Sequence, residues 1–204
     1  MRMVFALALA GCATTASPSP TPVLANSTPR GSVSTGALFT IEPAALGPIR
    51  ADTPATDEAI QAAVGSRYQV KSVDDRGIEL HVLLGEELLF YVIPNDDGSL
   101  FNVHCTSPKV AIAEHPEWII GAPFQNSAPL TACECWGTRP MCFRSGDHVA
   151  VGFQIACDNL DSPAGRKALE GVRIQRAVWN PVPFGGPSSG TSSPPPSKSL
   201  LVPP

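Results

Sequence analysis

Apolar and polar residues alternate at period two through the middle of the chain. In IELHVLL, 78–84, Ile78, Leu80, Val82 and Leu84 share one side and Glu79 and His81 the other, which predicts a half-buried strand. LLFYVI, 88–93, is apolar on both sides and predicts a central strand. NDDGS, 95–99, has hairpin-turn chemistry and leads into a strand in LFNVHC. Later, HVAVGFQIAC places Val149, Val151, Phe153, Ile155 and Cys157 on one face, and VRIQRAVW predicts a last strand that Pro181 ends.

Helical spacing is confined to two short segments. DTPATDEAIQAAVG offers Thr53 as N-cap, Pro54 at the first helical position, Asp57 and Glu58 in the first turn and Gly65 as the stop. Ala59, Ile60, Ala63 and Val64 form its apolar stripe. DSPAGRKALEG repeats the grammar with Ser162, Pro163 and Gly171. The order of elements predicts a single α+β domain over 38–184: one curved antiparallel sheet, bent towards a barrel, with two short helices.

The two ends lack this patterning. Residues 3–10 form a short apolar run behind Arg2, a secretory signal too short to span a bilayer, which takes roughly 20 residues. Leu9-Ala10-Gly11-Cys12 resembles the lipobox of bacterial lipoproteins. That resemblance implies cleavage after Gly11 (signal peptide 1–11) and acylation of Cys12 with palmitate-type chains. Several chains hold a protein almost permanently at a membrane where one holds it marginally. Ala13 rather than Asp after the cysteine implies, by analogy with enterobacterial sorting, the outer membrane, facing the periplasm. Residues 12–37, rich in Ser, Thr, Pro and Ala, predict a tether with a reach on the order of 25–30 Å. Residues 185–204, GGPSSGTSSPPPSKSLLVPP, predict a disordered tail.

Charged residues make up only 16% of the chain and the formal net charge is −4, which argues against a nucleic-acid partner and against polybasic contacts with anionic lipid. Beyond Cys12, an oxidising envelope would favour disulfides among Cys105, Cys133, Cys135, Cys142 and Cys157. Cys133 and Cys135, two apart on a strand, share a face and are poorly placed to bond each other. Cys135 and Cys142 flank the hairpin WGTRPM, and a bond there closes a ring worth about 2.5 kcal/mol. Cys105 with Cys157 closes a far longer ring worth about 4 kcal/mol. That arrangement leaves Cys133 as the free thiol, and Cys133 can equally replace Cys135 in the hairpin bond.

Catalytic patterns are weak. A metal set of Cys133, Cys135, Cys142 and His148 lacks the usual Cys-x₂-Cys spacing, and Cys105 beside His104 would point to the opposite face of a strand. NDDGS begins like a calcium loop, but Pro108 and Lys109 stand near where the closing acid belongs. There is no Gly-x-Ser-x-Gly, phosphate-cradling glycine loop or His-Glu-x-x-His, so no cofactor is predicted. His81, His104, His115 and His148 are scattered along the sequence, and Trp136 and Trp179 read as packing residues. EHPEW, 114–118, reads as a loop turning on Pro116.

GPIRADTPATDEAIQAAV, RGIELHV and the closing IQRAVWNP resemble a family of bacterial envelope lipoproteins typified by the RpoE-regulated lipoprotein of enterobacteria. The likeness runs over roughly 39–181 and includes the Cys135 and Cys142 pair, whereas Cys105, Cys133, Cys157 and the proline-rich tail depart from it. It implies a lipid-anchored protein without an established activity. The expected function is therefore a non-enzymatic binding or envelope-maintenance module with an envelope protein or cell-wall partner. An alternative is a protein inhibitor of a cell-wall lytic enzyme, inserting the loop AEHPEWIIGAPF. A third is an enzyme using Cys133 or a metal.

Overall fold

The chain from Phe39 to Trp179 builds two stacked sheets. A computed structural model describes residues 36–185 except 75–76, 127–128, 158–159 and 161, all within the compact unit Gly31–Pro204. The signal segment, Cys12, the tether through 35 and the tail beyond 185 lie outside the described residues. In chain order the elements are β1 (Phe39–Glu42), β2 (Ala45–Leu46), β3 (Ile49–Arg50), α1 (Asp57–Val64), β4 (Gln69–Asp74), β5 (Ile78–Leu84), β6 (Glu87–Pro94) and β7 (Leu100–Cys105). There follow β8 (Val110–Ile112), β9 (Ala132–Trp136), β10 (Arg139–Phe143), β11 (Val149–Phe153), α2 (Pro163–Lys167) and β12 (Ile174–Trp179).

The larger sheet is antiparallel throughout, in the order β4-β5-β6-β7-β12-β11-β10-β9. It is two meanders meeting at β7 and β12. The smaller sheet runs β3-β2-β1-β8, with β1 and β8 parallel. Two sheets therefore replace the single sheet expected from the sequence. The larger one does not close into a barrel, because β4 and β9 remain as its edges. The physical reason is β8. After β7 the chain leaves the larger sheet, pairs Val110 with Phe39 in the smaller one, and re-enters at the far edge through β9.

The main core fills the space between the layers. Phe39, Ile41, Leu46, Ile49, Val110 and Ile112 meet Leu80, Val82, Phe90, Val92, Val103, Val151 and Trp179, with Ile60 and Val64 of α1 alongside. Phe39 packs edge-on to Phe90 at 5.0 Å, and the Trp179 indole N–H donates to the Pro43 carbonyl at 3.3 Å. A register slip at Val82/Leu83 inserts Leu89 as an extra residue in β6, so Leu89 and Phe90 are both fully buried in the core. That bulge underlies the two-sided apolar run of LLFYVI.

Local signals place the helices with one correction. Thr56, not Thr53, caps α1: its extended backbone (φ −120°, ψ 155°) turns Oγ1 onto the Ala59 N–H at 3.3 Å. Thr53 Oγ1 instead accepts from the Arg50 N–H at 2.9 Å, and Pro54 precedes the helix. The preceding turn makes this exchange, taking Thr53 for itself and delaying the helix by one turn. Gly65 ends α1 with φ 85°, and Ser162 caps α2 through the Gly165 N–H at 3.0 Å. β11 stops at Phe153, so Ile155 and Cys157 lie beyond the strand rather than on its face.

Candidate functional site

The cysteines pair differently from the expected scheme. Cys133 bonds Cys142, Cys135 bonds Cys157, and Cys105 stays reduced and buried. The hairpin register decides the first bond. Cys142 stands directly opposite Cys133, with Cα atoms 4.0 Å apart, whereas Cys135 faces Pro140. The chain past Phe153 brings Cys157 to Cys135 at a Cα separation of 5.9 Å. Cys105 shares a row with these residues but is separated from Cys142 by Ala177 and Val151 across β12 and β11, about 14 Å at the usual strand spacing. Cys133 is thus not a free thiol, and Cys135–Cys142 and Cys105–Cys157 are not the bonds. The same disulfides withdraw all three thiolates from the proposed set with His148, whose Nδ1 contacts the Asn180 carbonyl at 2.9 Å. Burial pushes the Cys105 thiol pKa up, leaving it protonated.

The loop expected to enter another protein's active site is anchored to the core at alternate positions, while Glu114, Pro116 and Ile119 stay exposed. His115, Trp118, Ile120 and Phe124 are buried. His115 Nε2 contacts Asp147 Oδ2 at 2.7 Å, and its ring stacks on Trp118 with centroids 3.7 Å apart. Trp118 continues to Phe124 and Phe153. Backbone bonds from the Gly121 N–H to the Ile174 carbonyl and from the Phe124 N–H to the Val172 carbonyl hold the segment against the chain entering β12. The His115 and Trp118 rings of EHPEW therefore pack inside the fold, where the Trp118 indole N–H has no hydrogen-bond partner among the described residues.

The other face of the larger sheet joins residues that looked scattered. His81, Tyr91 and His104 are paired in register across β5, β6 and β7. Glu79 Oε2 contacts His81 Nε2 at 2.8 Å, and the Tyr91 hydroxyl contacts His104 Nδ1 at 3.0 Å with the two rings stacked at 4.8 Å. Arg176 of β12 brings Nη1 to His104 Nδ1 at 3.5 Å. From the far edge, Trp136 reaches His104 with ring centroids 6.0 Å apart. β9 and β7 are four strand steps apart, about 19 Å in a flat sheet. The sheet must therefore curl towards this face, making it concave. Met141, Phe143, Ala150, Val178 and Phe184 floor the neighbouring part of the concavity.

Two buried polar atoms on this face have no hydrogen-bond partner among the described residues: His104 Nε2 and Asn102 Oδ1, on side chains only 5% and 1% exposed. The contacts fix the imidazole tautomer. A guanidinium only donates, so Arg176 Nη1 at 3.5 Å favours the tautomer in which Nδ1 carries the lone pair and accepts from the Tyr91 O–H, with the ring proton on Nε2. Burial and then the nearby Arg176 charge pull the His104 pKa down to about 3, so the ring is neutral. Burial likewise raises the Tyr91 pKa and keeps its phenol protonated as a donor. This face of β7 thus holds one unpaired N–H and one unpaired carbonyl oxygen, both closed off from solvent. The hint in the sequence was polar Asn102 and His104 at period two inside an otherwise apolar strand.

No protein-family model matches the chain, and no curated protein matches it. Among solved structures, the chain is similar to the crystal structure of the uncharacterized protein yfeY from Escherichia coli. The identity is 17% and the TM-score 0.48, over 66% of this chain and 94% of that one.

Proposed function

We propose that this chain is an envelope lipoprotein, of the kind the RpoE-regulated lipoprotein typifies, anchored through acylated Cys12 and acting as a non-catalytic binding module. Leu9-Ala10-Gly11-Cys12 supports the anchor and Ala13 an outer-membrane address facing the periplasm. The observation that carries the binding role is the concave face with His104 Nε2 and Asn102 Oδ1 buried and unpaired. Such groups lose about 1–3 kcal/mol each when left unmet, and a bound ligand recovers it. A neutral imidazole held at a pKa of about 3 is a poor general base at neutral pH, which favours binding over proton transfer.

The test uses the full chain produced in a Gram-negative bacterium, with a photoreactive residue at Arg139 on the rim of the concave face or, as control, at exposed Ile78. We expect a membrane-fraction protein whose amino-terminal peptide carries acyl chains on Cys12, with adducts to an envelope component at position 139 and none at 78. An intact amino end, an unmodified Cys12 and identical adduct patterns at both positions would overturn the reading.

A further inference from the structure

We propose that the chain's own C-terminal segment 197–202, SKSLLV, docks as a ninth strand on the open edge of β9, antiparallel to it, with Lys198 opposite Glu134. This inference concerns a surface apart from the buried polar atoms of β7, and it holds whether or not Cys12 is acylated.

β9 is an edge whose hydrogen-bonding groups face out. β10 flanks it on one side, and no strand lies on the other among the described residues. Pro140 stands opposite Cys135 and has no N–H, so that pair cannot exchange bonds across the β9–β10 ladder. Cys133 and Cys142, two positions along, share its parity and have the close 4.0 Å Cα spacing of a non-bonded pair. The N–H and C=O groups of Cys133 and Cys135 therefore point away from β10, into the open side. The opposite edge is guarded differently: β4 carries Lys71 and packs beside α1, whose Asp57 accepts from Ser72 Oγ at 2.8 Å. A second copy suits the β9 edge poorly, because the register that engages Cys133 and Cys135 of both chains sets Glu134 against Glu134.

The tail starts beside this edge. The Gly185 carbonyl accepts from Ser145 Oγ at 3.4 Å, and the Ser145 N–H donates at 2.7 Å to Oγ1 of Thr131, the residue before β9. Residues 186–196 reach up to about 36 Å when extended, while β9 is about 17 Å long, so the chain can pass the strand and return along it. Prolines at 194–196 and 203–204 bracket SKSLLV, a proline-free run of strand length that ends in three apolar residues. Setting Lys198 opposite Glu134 brings Ser197 and Ser199 opposite Cys135 and Cys133, where their N–H and C=O groups complete the ladder. Glu134 is exposed and accepts from the Trp136 indole N–H at 3.3 Å, which leaves carboxylate capacity for the ammonium. Pro196 falls opposite Trp136, at a position whose missing N–H would face away from β9. Leu200 falls beside Ala132, which packs on the apolar cluster of Phe143 and Phe184. A single register thus satisfies the charges, the apolar side chains and the proline together.

The test uses the full chain in detergent micelles, with Ser199→Pro, which removes the N–H opposite Cys133, and Leu200→Asp as variants. Both substitutions fall outside residues 36–185 and leave the core of the domain as it is. The first readout is hydrogen exchange at the Cys133 and Cys135 amides, followed in ¹H–¹⁵N spectra. Both should exchange at least about ten-fold more slowly in the parent than in either variant, the equivalent of one hydrogen bond. The second is carbodiimide coupling of carboxylates to amines, mapped by mass spectrometry. A link between positions 134 and 198 should form within one chain, with a yield unchanged on about ten-fold dilution and lowered in both variants. Equal exchange at the two amides in parent and variants overturns the proposal, whether the shared rate is fast or slow. A missing 134–198 link, or one whose yield falls with dilution, overturns it too, the latter by giving the edge to a second copy.

Discussion

Removing the two disulfides separately tests the fold where sequence and structure disagree most. Cys133 and Cys142 are 9 residues apart, and Cys135 and Cys157 are 22 apart. On the chain-entropy model these rings are worth about 2.6 and about 3.4 kcal/mol respectively. Cys133→Ala with Cys142→Ala should therefore destabilise by about 2.6 kcal/mol, plus a smaller loss for the sulfur of fully buried Cys142. Cys135→Ala with Cys157→Ala should lose about 3.4 kcal/mol, mostly chain entropy, because Cys135 is exposed and Cys157 half-buried. Cys105→Ala breaks no bond and should lose only about 1 kcal/mol of packing. Urea unfolding under oxidising conditions reads these differences. With a slope near 2 kcal/mol per molar, the longer ring corresponds to a midpoint shift of about 1.7 M. Adding reductant should move the parent protein's midpoint and leave a variant lacking all four bonded cysteines unmoved. The reasoning fails if Cys105→Ala proves the most damaging substitution, or if peptide mapping without reduction recovers Cys105 joined to Cys157.

Three further outcomes follow from particular contacts. Thr56→Ala should destabilise by about 1 kcal/mol through loss of the α1 cap, and Thr53→Ala by less, since its single bond to Arg50 lies on an exposed turn; thermal unfolding of the two variants orders them. His104 is neutral when folded but takes up a proton below about pH 6.5 when unfolded. Its contribution is therefore fully present above pH 6.5 and is lost as pH falls towards 3, at up to about 1.4 kcal/mol per pH unit. His104→Gln should flatten that part of the pH–stability curve, which equal slopes in parent and variant would refute. Gly152→Ala should destabilise by about 1–3 kcal/mol and displace Arg176, because a Cβ there would meet Met141 Sδ at 2.6 Å and Arg176 Cγ at 2.8 Å; a calorimetric scan with no drop in Tm would contradict it.

What the sequence made legible was local. IELHVLL, NDDGS, VRIQRAVW and the Ser162-Pro163 start of α2 become β5, the β6–β7 turn, β12 and the second helix because each depends on side-chain period or turn chemistry within a few residues. What it hid was long-range. Pairing of β1 with β8, which divides the strands between two sheets, joins residues some seventy positions apart, and no local pattern encodes it. The disulfides were misassigned for a related reason. Cys142 pairs with Cys133 rather than Cys135 through the placing of the two-residue turn at Gly137 and Thr138, and a slip of that turn would change every partner. The concave site was invisible because its two ends, His104 and Trp136, meet only through curvature accumulated across β12, β11 and β10.

That curvature also explains why polar residues on central strands matter. On β6 and β7 the core side carries Phe90, Val92, Val103 and Cys105, while the opposite side carries Tyr91, Ile93, Asn102 and His104. In a flat two-layer sandwich the second group would face water and satisfy itself there. Here the curl brings Trp136 against His104, and Asn102 Oδ1 and His104 Nε2 are buried without partners among the described residues. An apolar residue at position 102 would pack against Ile93, its partner on β6, without that loss, so stability alone favours replacing the asparagine. Function can run the other way: an acceptor and a donor held on a central strand are preorganised for a ligand that reaches them. Asn102→Leu separates the two effects, because a purely structural asparagine would lose stability on substitution, whereas one kept for a ligand would lose binding while the fold holds or gains.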